Sequence, residues 1–241
     1  MTELLAAGVH YGHQTKRWNP KMREYILEEK NSIYIIDLSI TVDQLAKAAA
    51  YLGELVGGGG RVLFVGTKKQ AQEAVKEAAK ATGQFWVNER WLGGTLTNLQ
   101  TIRRSVARLR EFEENEKTPA FARLNKAEAS ALRREATKLR RNLEGVLDMS
   151  KLPDALVIID TPREEIAVAE AARLKIPIVA ICDTNSDPDR IAYPIPGNDD
   201  AIRSIRVILQ KLVDAMVASS GGRLKSSAPA AQPSDLEAVA E

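Results

Sequence analysis

The sequence predicts an α/β protein: a doubly wound, flavodoxin- or Rossmann-like parallel sheet carrying an inserted antiparallel helical hairpin of coiled-coil type. Three observations predict it. Apolar runs of about five residues alternate with amphipathic stretches of helical length, the pattern of strands separated by crossover helices. Hydrophobic residues make up 44% of the 241 but aromatics only 5%, so the core must be packed from Val, Ile, Leu and Ala, as in strands buried on both faces. Between Thr97 and Asp148 the strand signal stops and heptad stripes take its place.

Taken in order, residues 1 to about 40 read as an irregular basic arm leading into the core. Ile33-Tyr34-Ile35-Ile36 is a short strand at its end. Thr41-Val42-Asp43-Gln44 has the spacing of a capping box and opens a helix that runs to Leu55-Val56 and stops at four glycines, Gly57 to Gly60. Val62-Leu63-Phe64-Val65 is a buried strand, followed by Gly66-Thr67-Lys68-Lys69 and a helix ending at Gly83. Phe85-Trp86-Val87, Ala155 to Ile159 and Ile178 to Cys182 are further strands; Pro162 to Leu174 and Asp199 to about Val217 are helices. In the interruption, Leu99, Ile102, Val106 and Leu109 form one stripe and Leu132, Leu139 and Val146 a second, with Ala136 and Leu143 between them. Thr118-Pro119 breaks the chain between the two, and Asn125 with Glu128 caps the second helix. Each arm would be roughly 25–30 Å long at ~1.5 Å per residue. The domains expected are therefore the arm, a core formed by residues 41–96 and 149–220, the hairpin 97–148, and a disordered tail 221–241 too poor in apolar residues to fold.

Net charge is only +2, from 34 Lys and Arg against 32 Asp and Glu, so a nucleic-acid partner must be sought in the distribution of charge. The distribution is uneven. No Asp or Glu lies between Leu4 and Arg23, and residues 97–148 hold twelve basic against eight acidic side chains. Cys182 is the single cysteine, so no intrachain disulfide forms, which fits a reducing compartment. The first residues, Met1 to Ala7, do not read as a signal peptide and no stretch has the length of a membrane span. The expected location is the cytosol.

The arm interleaves cations, amides and rings: His10, His13, Gln14, Thr15, Lys16, Arg17, Trp18, Asn19, Lys21, Met22 and Arg23, with Gly12 and Pro20 keeping it out of regular structure. Lys and Arg neutralise phosphates, and Trp, Tyr and His stack on unpaired bases. The bland alternative is a basic loop whose Trp18 and Tyr11 pack onto the domain. A second cluster, Asn88 to Asn98, supplies Arg90, Trp91, Thr95 and Asn98 around Gly93-Gly94, and the helix after it adds Arg103 and Arg104. Most of the hairpin's charges read equally as i,i+4 ion pairs, but Arg103-Arg104 and Arg140-Arg141 are hard to account for in that way.

Two features point toward an enzyme binding a nucleotide or sugar phosphate. Gly66-Thr67-Lys68 follows a strand and opens a helix, where a phosphate would sit, although the Walker and dinucleotide glycine spacings are missing. Asp160 and Asp183 end strands, where α/β sheets hold ligands and ions, but cap and loop roles fit these aspartates better, Asp160-Thr161-Pro162 reading as a helix N-cap. Two histidines in one loop cannot complete a zinc site or a nucleophilic triad. No metal site is expected, Asp183 and Asp199 being the nearest approach to one.

These residues resemble the bacterial form of the ribosomal protein S2 family. The resemblance rests on Gly8 to His13 with Arg17 to Met22, Ile35 to Leu38, Val65 to Lys68, Arg90 to Asn98, Pro153-Asp154-Ala155, Glu164 with Glu170-Ala171, Ile176-Pro177, Asp183 to Pro188, and Tyr193, Ile195-Pro196 and Asn198 to Asp200. They occur in order along all but the tail. The resemblance implies a parallel-sheet core with an inserted hairpin, and a non-enzymatic structural role in the small ribosomal subunit. It also implies binding of small-subunit rRNA near the head–body junction on the solvent side, with Lys68 joining the contact set, and contacts to neighbouring ribosomal proteins, including help in docking the mRNA-binding protein S1. Neither a membrane nor a small-molecule substrate is implied, and no cofactor beyond structural Mg2+ shared with rRNA.

Overall fold

The computed structural model describes residues 1–118, 121 and 124–220. Among the described residues, eight strands form two sheets. β1 (Tyr11–Gln14), β2 (Ile26–Lys30) and β3 (Ile33–Ile36) make an antiparallel sheet in the order β1-β3-β2. β4 (Val62–Val65), β5 (Phe85–Val87), β6 (Ala155–Ile159), β7 (Ile178–Cys182) and β8 (Tyr193–Pro196) make a parallel sheet in the order β5-β4-β6-β7-β8. The chain reverses its winding between β4 and β6, so the crevice at their carboxyl ends is the switch point of a doubly wound sheet.

The helices are α1 (Thr2–Ala6), α2 (Leu38–Gly57), α3 (Gln72–Ala81), α4 (Leu99–Asn115), α5 (Lys126–Leu143), α6 (Glu165–Arg173) and α7 (Ile202–Ser219). Side chains of the parallel strands alternate between two apolar layers, as a pleated backbone requires. Phe64, Val157, Val179 and Ile195 face α2, α3 and α7; Leu63, Val65, Leu156, Ile158 and Ala180 face α6, Met22 and the start of α4. Both layers are aliphatic, which is why so few aromatic residues suffice.

β4, β6, β7 and β3 lie where the apolar runs place them. The N-terminal segment does not match the expected irregular arm. Asn31 and Ser32 both take positive φ, 52° and 59°, and join β2 to β3 as a two-residue hairpin loop of the kind that suits twisted strands. Gly12 lies within β1, where a Cβ would sit 2.6 Å from the Thr184 methyl; glycine there lets the N-terminal segment close on the loop after β7. Pro20 opens a 3-10 helix, Pro20–Tyr25, that buries Met22 and Tyr25. β8 carries two prolines and has no apolar run, yet it is a legitimate edge strand because its outer side needs no donor.

Three helix starts also differ. α2 begins at Leu38, capped by Asp37, whose Oδ1 accepts from Ser39 N at 2.8 Å; Thr41 instead donates to Pro196 O at 2.8 Å. Asp160 takes φ 65° in a turn, accepting from Arg163 N, and α6 starts only at Glu165. α7 starts at Ile202, three residues past Asp199. Asn125 caps α5, accepting from Ala127 N at 3.2 Å. α4 and α5 run antiparallel, tied by Arg108–Glu135, Arg133–Glu116 and Arg140–Glu113. Pro119 and the tail 221–241 lie outside the described residues.

Candidate nucleic-acid interface

The carboxyl edge of the parallel sheet gathers several buried charges. Lys68, just past β4, places Nζ 2.6 Å from Asp199, 2.7 Å from Asp200 and 3.1 Å from Asp160. His13, from β1, reaches Asp183 at 3.0 Å through Nδ1 and Asp200 at 3.5 Å through Nε2. Burial works against the Lys68 charge, but hydrogen bonds to Asp199 and Asp200 outweigh it and hold the pKa above that of an ordinary lysine. His13 is raised as well, first by its hydrogen bond to Asp183. Asp199 is pushed up to about 7 by burial and by the neighbouring Asp183 and Asp160 carboxylates. Burial leads the Asp199 shift, and the cluster around it is short of positive charge, with four carboxylates facing one lysine and one histidine. His13, Asp199 and Asp200 each turn one ligand atom into a space 4.8 Å across, the arrangement a cation needs. Lys68 Nζ already stands against both carboxylates. Lys68 and His13, both expected to meet RNA, are therefore neutralised within the protein. The His10 ring lies tilted against Tyr11, centroids 4.0 Å apart and planes 40° from parallel, and burial lowers its pKa.

The switch-point crevice is filled as well. Glu164, 3% exposed, accepts from Thr67 N at 2.8 Å and Thr67 Oγ1 at 2.5 Å, and Arg163 Nε donates to the same hydroxyl at 3.0 Å. A carboxylate of the chain thus sits on the backbone donor that a phosphate would use. This is the site on which the nucleotide-enzyme reading depends, and it is internally satisfied.

In the N-terminal segment, Lys21 binds Asp187 at 3.0 and 2.8 Å and also contacts Asp189. Asn19 donates its backbone N–H to Thr184 O and accepts from Lys21 N. Met22 has no exposed surface and packs in the core. Trp18, half-buried, lies 5.2 Å from the Tyr34 ring, and Thr15 is also half-buried. Gln14, Lys16, Arg17 and Arg23 are exposed, and the three cations form no ion pair among the described residues.

The loop before α4 is organised by Glu170 of α6. Its carboxylate accepts from Trp91 Nε1 (3.0 Å), Gly94 N (2.8 Å), Leu96 N (2.9 Å), Thr97 N (3.0 Å) and Thr97 Oγ1 (3.1 Å). Gly94 takes φ 88° to turn its N–H inward. Trp91 is 7% and Thr95 3% exposed, and Thr95 Oγ1 donates to Leu92 O; both are expected at the RNA, and the folded chain buries both. Arg90, Asn98, Arg103 and Arg104 remain exposed. Arg140 and Arg141, hard to explain from sequence, are paired with Glu113 at 2.8 Å and Glu89 at 2.5 Å. Arg103 and Arg104 have no such partner among the described residues.

A family model described as ribosomal protein S2 matches residues 4–219. The chain belongs to the ribosomal protein S2 family. Membership makes it a structural protein of the small ribosomal subunit, working in translation within the cytoplasmic ribosome alongside rRNA and other ribosomal proteins. Among the described residues no helix is long and apolar enough to cross a membrane.

For an S2 protein the geometry distinguishes two groups among the cations. Lys21, Lys68, Arg108, Arg110, Arg133, Arg140 and Arg141 hold the chain to itself. Lys16, Arg17, Arg23, Arg90, Arg103 and Arg104 are exposed on the N-terminal segment, the loop before α4 and the first turns of α4. Sequence spacing could not separate the groups, because the neutralising carboxylates lie as much as 166 residues away. Glu164 and Glu170 were visible only as parts of the resemblance, with no role attached.

Proposed function

We propose that this chain binds small-subunit rRNA near the head–body junction through its unpaired surface cations, helps dock the mRNA-binding protein S1, and catalyses no reaction. Family membership supports the location and the partners. The observation that carries the RNA contact is the grouping of six exposed cations with no ion pair among the described residues, three on the N-terminal segment and three from Arg90 to the first turns of α4. A protein with net charge +2 gains affinity for a polyanion only where positive charge is left uncompensated. The self-filled crevice supports a non-catalytic role. Any Mg2+ in the complex would be held mainly by rRNA, with no cofactor belonging to the chain itself.

Binding to small-subunit rRNA is expected to weaken with salt, by about 0.7–0.9 logarithmic units per phosphate neutralised. Lys16→Ala/Arg17→Ala should lower that slope by one to two phosphates' worth and weaken incorporation into small subunits, with the melting temperature unchanged. An unaltered slope and normal incorporation would show that the N-terminal segment does not grip RNA.

A further inference from the structure

The loop after β7 lies alongside the N-terminal segment and holds it on both sides of Lys16 and Arg17. His13 N donates to Thr184 Oγ1 at 2.9 Å and Asn19 N to Thr184 O at 2.8 Å, so one residue anchors both ends of the stretch 14–18. Thr184 is itself fully buried, and its N–H donates to Asp183 Oδ1 at 2.6 Å. Just past the second anchor, Lys21 Nζ donates to Asp187 at 3.0 and 2.8 Å and meets Asp189 as well. Asp187 Oδ1 also accepts from Asp189 N at 3.1 Å, capping the 3-10 turn Pro188–Arg190, so the carboxylate is fixed within its own loop. Between the anchors Thr15 N donates to Ser32 O at 3.0 Å, and Lys16 and Arg17 stand exposed, with no ion pair among the described residues.

The charge of this loop works against RNA binding unless it serves that geometry. Asp187 and Asp189 set two carboxylates close to the free cations and neutralise a third cation, Lys21, on a chain whose net charge is only +2. For attraction of a polyanion alone, the chain would do better without them. Lys21, Asp187 and Asp189 are 45%, 46% and 62% exposed, and ion pairs so open to solvent contribute little to stability. Their remaining effect is order. A long cationic side chain on a loose segment loses freedom when it binds, and one on a segment already fixed loses less.

We propose that Asp187 and Asp189 are positioning residues for RNA binding, acting through Lys21 to hold the N-terminal segment so that Lys16 and Arg17 meet the rRNA backbone already in place. The proposal rests on the RNA-binding reading above and adds a determinant of specificity to it. It is tested on the full chain with Asp187→Asn/Asp189→Asn, by measuring binding to small-subunit particles that lack the protein and to an unrelated RNA duplex, together with the melting temperature. The variant loses two negative charges and frees Lys21. Affinity for the particle should nevertheless fall about tenfold, the order of the cost of ordering one or two long side chains on binding. Affinity for the duplex should stay level or rise, and the melting temperature should hold. Particle affinity that stays level or rises along with duplex affinity would show that the carboxylates merely neutralise Lys21. A fall at both RNAs in step with the melting temperature would show that they merely support the fold. Either result overturns the proposal alone. An unaltered chain that binds the particle no better than the duplex overturns the RNA-binding reading and this proposal together.

Discussion

Lys68→Ala is expected to lower the unfolding free energy by about 3–5 kcal/mol, the cost of removing one member of a buried ion pair. Asp199 is fully buried and Asp160 nearly so, and Lys68 is the only lysine or arginine that bridges Asp160, Asp199 and Asp200 among the described residues. Without it these carboxylates repel one another across a few ångströms with little water to screen them. The urea midpoint should fall with the slope unchanged. Direction with pH separates this account from simple loss of packing. Burial and the neighbouring carboxylates already push the Asp199 pKa up to about 7 in the unaltered protein. A carboxyl whose folded pKa is raised above its unfolded value favours the folded state as pH falls through that folded value. Removing Lys68 raises the carboxylates further, so the variant should regain stability on acidification over a window reaching above neutrality. Asp199→Asn in the same background should recover part of the loss at neutral pH. A variant that stays equally weak at every pH would show that Lys68 acts through its alkyl stem alone.

The parallel sheet was legible because its strands are buried on both faces and so appear as unbroken apolar runs: β6 and β7 begin and end where Ala155 to Ile159 and Ile178 to Cys182 do. β1, β2 and β8 were not. Each is short, polar on at least one side, and stabilised by partners rather than by its own composition; Ile26-Leu27-Glu28-Glu29-Lys30 is a strand only because β3 lies beside it. The candidate interface was legible as a list of basic residues but not as a division among them. Whether Lys21 or Arg17 is left unpaired depends on Asp187 and Asp189, which the fold brings to Lys21 and not to Arg17. Helix starts were misplaced for a related reason. Asp160 looks like a cap, but Glu164, Thr67 and Arg163 form a closed network that delays α6.

Glu170→Ala is expected to cost about 3 kcal/mol or more, because it strips the acceptor from five donors at once. Trp91 Nε1 and the N–H groups of Gly94, Leu96 and Thr97 lie in a loop whose residues 91, 95 and 96 are buried, and a buried donor left unmet costs about 1–3 kcal/mol. Glu170→Gln should fall between the two proteins, since its carbonyl serves only part of the loop and its NH2 confronts the remaining donors. Burial raises the Glu170 pKa, but the hydrogen bonds from Thr97, Trp91, Gly94 and Leu96 prevail and hold it below the ordinary glutamate range. A depressed folded pKa means stability that is present above the unfolded value and lost as pH falls through the folded one. The unaltered protein should therefore lose more stability on acidification below the ordinary glutamate range than Glu170→Gln does, and the two unfolding curves should converge at acid pH. The consequence reaches the interface, because this loop carries Arg90 and sets the start of α4 with Arg103 and Arg104. A particle assembled with Glu170→Ala should lose RNA backbone protection by these three arginines while keeping that from Lys16 and Arg17. Protection lost equally at both places would mean that the carboxylate supports the whole domain and not this loop.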